Sequence, residues 1–476
     1  MIWNEIKNWI KKTPNSKIKD EYSAFTYETF AAEVKLIANK LSEFFFSGCK
    51  CAIFCERNLN TGLCILACWK AGLVSIPMSM AYGVEHCKKI VTLTNPDIIL
   101  SDLDIDNACF KKVPSEVCTI SAIKILKLNE VIIKEEVLSD VALIMCTSGT
   151  TGTPKGIMLT HNNLLSNIRG ISNYFKLVKK DRILIVRPLY HCAALTGEFL
   201  LSIFLGVNII FSDNKYDPFL ISNIIGKEKI TVLCGTPTFF NHLARILLLS
   251  NTKHNLKNIA ISGEVLRKDV AENIKKSFTN VNIFHVYGLT EAAPRVSYLP
   301  SHLFNKYSES IGIPLQSVQI RLLATNGLEQ EKGQDGILLV CSPSVMKGYY
   351  NNNSLTQAVL KDGWLNTGDI ACLDKNGLLY IKSRVDDMII KGGMNIYPSE
   401  IESILKRNEE ITDLSIYSQE GKIIVEVLLS QNFKDLSVKD VIQLCSRTLP
   451  SYLMPDKIKI VNQISVSATG KRIHAK

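Results

Sequence analysis

Between Tyr27 and Phe211 the apolar residues switch repeatedly between a helical and a strand period, and few architectures accept such a chain. Tyr27 to Phe46 carries helical spacing and ends near Gly48. Cys51 to Cys55 reads as a strand, Thr61 to Ala71 as a helix and Val74 to Pro77 as a second strand. Further on come a helix over Asn162 to Tyr174, a strand over Arg182 to Val186, a helix near Glu198 to Phe204 and a strand over Val207 to Phe211. The alternation predicts a layered α/β domain with much parallel sheet. At 476 residues the chain is too long for a single core, so a second domain is expected. The last ~90 residues supply it. Helices at Pro398 to Arg407 and Val438 to Leu449, with strands at Lys422 to Leu429 and Lys457 to Val461, read as a small α/β domain.

Composition narrows the class. A net charge of +10 is spread along the chain rather than gathered into arms, which argues for anionic ligands or an acidic partner and against nucleic acid. Met1 to Asp20 mixes Trp3, Trp9 and Ile10 with Lys7, Lys11 and Lys12, which is no secretory leader. The most apolar window, Ala193 to Phe211, is interrupted by Glu198, Gly206 and Asn208, so it reads as a buried helix and strand rather than a membrane span. A cytoplasmic protein is expected. Fourteen cysteines include Cys51/Cys55 and Cys64/Cys68, but no C-x-x-C pair occurs and most lie in apolar runs, so core packing is expected of them.

One stretch carries chemistry of its own. After the apolar run Val141 to Met145 come Cys146-Thr147-Ser148-Gly149-Thr150-Thr151-Gly152-Thr153-Pro154-Lys155-Gly156. Small residues let backbone N–H groups point inward at a phosphate, while hydroxyls and one lysine add donors. Two residues separate Lys155 from Gly152, so this is not a Walker A loop, and the Rossmann G-x-G-x-x-G is absent.

The stretch resembles the phosphate loop of the adenylate-forming superfamily, which includes acyl- and aryl-CoA synthetases, nonribosomal adenylation domains and luciferases. Further phrases follow in the family's order. Arg187-Pro188-Leu189-Tyr190-His191 is similar to the segment whose histidine borders the acyl pocket. Amino-acid-activating members usually carry an aspartate next, as counter-charge to a buried ammonium; this chain has Cys192, which disfavours an amino acid substrate. Ser262-Gly263-Glu264 resembles the segment lining adenine and the acyl pocket, with Ser262 in place of a common glycine. His285-Val286-Tyr287-Gly288-Leu289-Thr290-Glu291 matches the family's Tyr-Gly-x-Thr-Glu phrase. By that resemblance Tyr287 and Gly288 lie against adenine, Thr290 meets the α-phosphate and Glu291 gives an oxygen to Mg²⁺, a hard cation. His285 stands where the family has Asn or Gln on the adenine amine. Arg295 has two readings, a far-pocket residue or a solvated surface arginine.

Gly363-Trp364-Leu365-Asn366-Thr367-Gly368-Asp369 resembles the segment whose carboxylate holds the ribose hydroxyls, a task for an acceptor-only group. Arg384 matches an arginine on ribose or phosphate, and Asp386 a hinge. The resemblance thus implies a large domain, 1–384, of layered α/β subdomains, and a small mobile α/β domain, 385–476. Lys471 in Ser467-Ala468-Thr469-Gly470-Lys471 matches the catalytic lysine that bridges carboxylate and α-phosphate; His474 replaces a common arginine after it. Thr147, Ser148, Thr150, Thr151 and Lys155 would hold the β- and γ-phosphates. The implied reaction joins a carboxylic acid, fatty or aryl before amino, to AMP from ATP and then passes it to a thiol. That thiol belongs to coenzyme A or to the phosphopantetheine of a carrier protein. Loss of Glu291 or Lys471 would have marked a non-catalytic nucleotide binder; both are present.

Overall fold

The computed structural model describes residues 1–79, 83–104, 110, 114–128, 138–148, 154–212, 217–250, 253–324, 326–385, 389–391, 394–419, 422–450 and 453–464. The chain divides into two units, residues 1–320 with 340–365 and residues 321–339 with 366–476. The expected boundary at 384/385 falls inside the second unit.

Among the described residues, two large sheets lie in the first unit. In one, the parallel strands Asn208–Phe211, Arg182–Ile185, Val232–Gly235, Asn258–Ile261 and Asn282–Gly288 stand side by side, and Arg295–Leu299 and Ile313–Pro314 continue it antiparallel. These short strands are apolar because helices cover them. The second sheet runs Gly348–Tyr349, Pro154–Thr160, Val141–Ser148, Val74–Pro77, Lys50–Phe54, Ile98–Ser101, Ile123–Lys127 and Ser115–Ile120. Val141–Ser148 therefore lies deep in a sheet, with Val74–Pro77 parallel on one side and Pro154–Thr160 antiparallel on the other. The phosphate-loop residues 149–153 connect that antiparallel pair and lie outside the described residues.

Local chemistry sets the helix limits. Thr160 Oγ1 accepts from the Asn163 N–H at 3.1 Å and Asn163 Oδ1 accepts from the Thr160 N–H at 2.8 Å, a capping box that starts His161–Tyr174. Such a cap contributes about 1 kcal/mol. Asn58–Ala71 is buried on nearly every face, as a helix apolar all round must be. It ends at Gly72, whose φ of +76° lets the Leu73 N–H reach the Cys68 carbonyl at 2.8 Å. Trp69 on this helix donates its indole N–H to the Ala142 carbonyl at 2.8 Å, which pins the strand entering the phosphate loop. Cys51, Cys64 and Cys68 are buried as expected, with Cys64 Sγ 3.8 Å from Cys55 Sγ.

The apolar window after Ala193 is helical from Cys192 to Leu205, with a π-turn over Leu195–Leu200 that buries Glu198. No described helix is long and apolar enough to cross a membrane.

In the second unit residues 369–373 pair antiparallel with Leu379–Arg384 around the Asp374 turn, where Asp374 Oδ1 accepts from the backbone of Asn376 and Leu378. Its three-stranded sheet, Ile411–Gln419, Lys422–Leu429 and Lys457–Ile460, packs with helices Pro398–Leu405 and Val438–Thr448. Ile401, Leu405, Leu414, Val425, Val427 and Val441 fill that core. The expected helices and strands of the last ~90 residues are there, to within two residues at each end.

Candidate active site

Thr147 sits at the end of its strand directly opposite Lys155, and the Ser148 backbone pairs with Pro154. Gly149, Thr150, Thr151 and Gly152 lie outside the described residues. Lys155 projects its ammonium to 5.7 Å from the centre of the Tyr349 ring, a cation–π distance. The hydroxyl of Tyr349 donates to Glu291 Oε1 at 3.0 Å. Gly348–Tyr349 pairs with Pro154–Thr160, and the Met346 N–H donates to the Glu291 carbonyl at 2.8 Å. Two segments that the sequence holds far apart thus meet at one ring.

Tyr287 and Gly288 end the strand Asn282–Gly288, and Thr290–Ala292 makes a single tight turn carrying Glu291. A Cβ on Gly288 would lie 2.1 Å from the Pro294 carbonyl oxygen, so only glycine lets that turn fold back. His285 is buried. Its Nδ1 lies 3.0 Å from the Ser308 carbonyl, which only accepts, so Nδ1 carries the proton. Burial lowers this imidazole's pKa to about 4, against two backbone hydrogen bonds that raise it.

The residues read as an acyl pocket gather just beyond the carboxyl ends of the parallel strands. Ser262 follows Asn258–Ile261, and its hydroxyl accepts from Arg187 Nη1 at 3.0 Å. Gly263, with φ +97°, turns the chain where L side chains are strained, and Glu264 accepts from the Thr238 hydroxyl at 2.6 Å. His191 is half-buried at the head of the Cys192 helix, its ring 4.7 Å from that of Tyr190. Cys192 is buried, its thiol pKa pushed up to about 12 by burial, with the Glu291 charge acting in the same direction. A neutral thiol leaves a substrate ammonium without a counter-charge at this position.

Arg295 is not a surface arginine. It is 4% exposed, with Nη1 donating to the Tyr174 hydroxyl at 3.0 Å. The side chain of Asn167 holds its backbone on both sides, accepting from the Arg295 N–H at 3.1 Å and donating to its carbonyl at 2.9 Å. Helix His161–Tyr174 therefore covers the strand that Arg295 begins. Arg295 has company there. Arg187 Nε and Nη2 lie 2.9 and 2.6 Å from Glu198 Oε1, and Glu198 is 1% exposed.

In the second unit Asp369 and Arg384 stand opposite each other on paired strands, and Arg384 Nη1 donates to Asp369 Oδ1 at 3.1 Å. Asp386 and Lys471 lie outside the described residues.

Comparison with known proteins gives these phrases a family. The model of the AMP-binding enzyme family matches residues 6–350. The chain belongs to the AMP-binding enzymes. This AMP-binding enzyme is 34% identical over 348 residues to a long-chain-fatty-acid–CoA ligase of Yersinia pestis, covering 71% of this chain and 61% of that ligase. The chain thus spans less than two thirds of that relative. It is 28% identical over 425 residues to a feruloyl-CoA synthase of Amycolatopsis sp, covering 86% and 84%. The o-succinylbenzoate CoA synthetase of Bacillus subtilis, solved with its acyl-adenylate, has the same fold, with a TM-score of 0.85 at 24% identity over 99% and 96% of the two chains. The fold is α/β, as the alternation predicted.

Three residues of the site escaped the sequence. Tyr349 belongs to no phrase quoted above. Arg187 opens one, yet only its histidine drew notice. Glu198 registered as a break in an apolar window, and a charge there was the signal to look for a buried partner.

Proposed function

We propose that this AMP-binding enzyme activates a carboxylic acid with ATP and passes the acyl group to a thiol. A carboxylate oxygen attacks the α-phosphorus, the bond to the bridging oxygen of the β-phosphate breaks, and pyrophosphate leaves with that electron pair. The thiolate then attacks the acyl carbon and AMP departs; the thiol proton goes to solvent. Little covalent work falls to the protein, which must align two anions and stabilise the charge at phosphorus.

The observation that supports this best is the meeting of Lys155 and Glu291 at Tyr349. It puts a cation beside the phosphate loop and a hard carboxylate oxygen around one ring. Mg²⁺ keeps several waters and shares phosphate oxygens, so one protein carboxylate suits it, and when bound it would neutralise phosphate charge. In this reading Thr290 meets the α-phosphate, Tyr287 and Gly288 flank adenine, and Asp369 with Arg384 takes the ribose. Residues 385–476 act as a lid on the hinge Asp386, and Lys471 bridges carboxylate and α-phosphate.

Coenzyme A is the favoured acceptor, since the fatty-acid and feruloyl relatives are named for it. The substrates suit a cytoplasmic enzyme. Purified protein with ATP, Mg²⁺, coenzyme A and a panel of fatty, aryl and amino acids should form acyl-CoA, AMP and pyrophosphate in equal amounts. ADP and phosphate in their place would overturn the reading. Acyl transfer to a carrier-protein phosphopantetheine and not to coenzyme A would reassign the acceptor.

A further inference from the structure

Asn167 is 0% exposed, on a helix face it shares with Leu164, Ile168 and Ile171. An amide inside a helix and out of water is a poor choice unless its hydrogen bonds are made. All of them go to one loop. Oδ1 accepts from the Arg295 N–H at 3.1 Å, while Nδ2 donates to the Arg295 carbonyl at 2.9 Å and to the Ala292 carbonyl at 3.1 Å. An N–H only donates and a carbonyl only accepts, so the amide has one orientation here, and an aspartate of the same shape would lack the donors.

The loop that Asn167 clasps carries Glu291. Ala292 follows that residue directly, and its N–H returns to the Leu289 carbonyl at 2.9 Å; the Ala293 N–H reaches the Thr290 carbonyl at 3.1 Å. One turn earlier on the same helix, Asn163 keeps Oδ1 for the capping box and donates Nδ2 to the Pro343 carbonyl at 2.8 Å. Pro343 lies in the turn closed by the Val345 N–H on the Ser342 carbonyl at 3.0 Å, and Met346 comes next, its N–H on the Glu291 carbonyl at 2.8 Å. Residues four apart share one side of a helix. One helix face therefore grips both backbone segments that hold Glu291.

We propose that Asn167, assisted by Asn163, is a positioning residue for the magnesium ligand: the pair fixes Glu291 to the helix that continues the phosphate-loop strand. This rests on the reading of Glu291 as the Mg²⁺ ligand and adds what aims it. The helix starts at Thr160, the last residue of the strand on which Lys155 stands. Glu291 is thus held twice, at its side chain by the Tyr349 hydroxyl and along its backbone by the two asparagines. Mg²⁺ demands near-octahedral geometry, so a carboxylate that drifts from its place loses affinity.

The test is calorimetric titration of the acid-free enzyme with ATP, once with Mg²⁺ and once with EDTA. Mg²⁺ should tighten binding to wild type, and Glu291→Ala should abolish that gain. Asn167→Ala should cut the gain roughly 10–100-fold, the usual effect of removing a group that orients a metal ligand, and leave the binding of metal-free ATP as it was. Asn163→Asp keeps the capping acceptor and suits a first helical turn, but has no donor for Pro343. It should cut the gain in the same direction, and it decides where Asn167→Ala fails to fold. An undiminished gain in the asparagine variants, or equal losses with and without Mg²⁺, would overturn this inference and leave the role of Glu291 standing. A gain that survives Glu291→Ala, or none in wild type, would overturn the magnesium reading and this inference with it.

Discussion

The Tyr349 hydroxyl lies 3.0 Å from Glu291 Oε1, and so joins the turn bearing that carboxylate to the sheet bearing the phosphate loop. Tyr349→Phe keeps the ring beneath Lys155 and removes a donor to a carboxylate, a bond contributing about 1.5–3 kcal/mol. Pyrophosphate exchange should fall roughly 10–100-fold, with its Mg²⁺ midpoint moved to higher concentration. An unchanged rate and midpoint would take Tyr349 out of the site.

Arg187 and Glu198 form an ion pair at 2.6 Å away from water. Arg187→Met removes the hydrogen-bonded partner of the buried carboxylate and should reduce stability by about 3–5 kcal/mol, read from the urea midpoint. Adding Glu198→Met should recover most of that loss. If the double variant is no more stable than the single one, the two residues are not coupled.

His285 gives acid sensitivity of known sign. Its folded pKa of about 4 lies below the ordinary 6.5, so the unfolded chain binds the proton more readily. The stability contribution is complete above pH 6.5, falls as pH drops toward 4, and is constant below. The full difference is roughly 3 kcal/mol. Subtracting the stability curve of His285→Gln from that of wild type should isolate this step from His161, which burial also lowers to about 4. A flat difference curve would show that His285 is not held neutral.

Asp369 is 7% exposed and accepts from Arg384. If it holds the ribose, wild type should prefer ATP to 2′-deoxy-ATP by about tenfold in kcat/KM, and Asp369→Asn should lose that preference. A preference that survives the substitution would place the ribose elsewhere.

How much of this the sequence disclosed depends on the range of the interaction. The helix and strand alternation is local: it follows from which faces are apolar and where Thr160 and Gly72 begin and end helices. The phosphate-loop, Tyr-Gly-x-Thr-Glu and Gly-Asp phrases are local too, because each wraps one part of a nucleotide. Arg295 was ambiguous because its burial depends on Asn167 and Tyr174 of another helix. Tyr349 stands 58 positions from Glu291, and no local pattern couples them. Glu198 and Arg187 are separated by only 11 positions, but a strand end and a π-turn must be folded before they meet. The roles of Gly149, Thr150, Thr151, Gly152, Asp386 and Lys471 rest on their phrases alone.

The central claim is that a carboxylic acid attacks the α-phosphate of ATP. Its most direct measurement is ATP–pyrophosphate exchange with a broad acid panel, run on wild type and on Lys471→Ala. The account predicts exchange only when an acid is present, reduced roughly 10²–10³-fold in the variant. Exchange without acid, or exchange undiminished by Lys471→Ala, would contradict it.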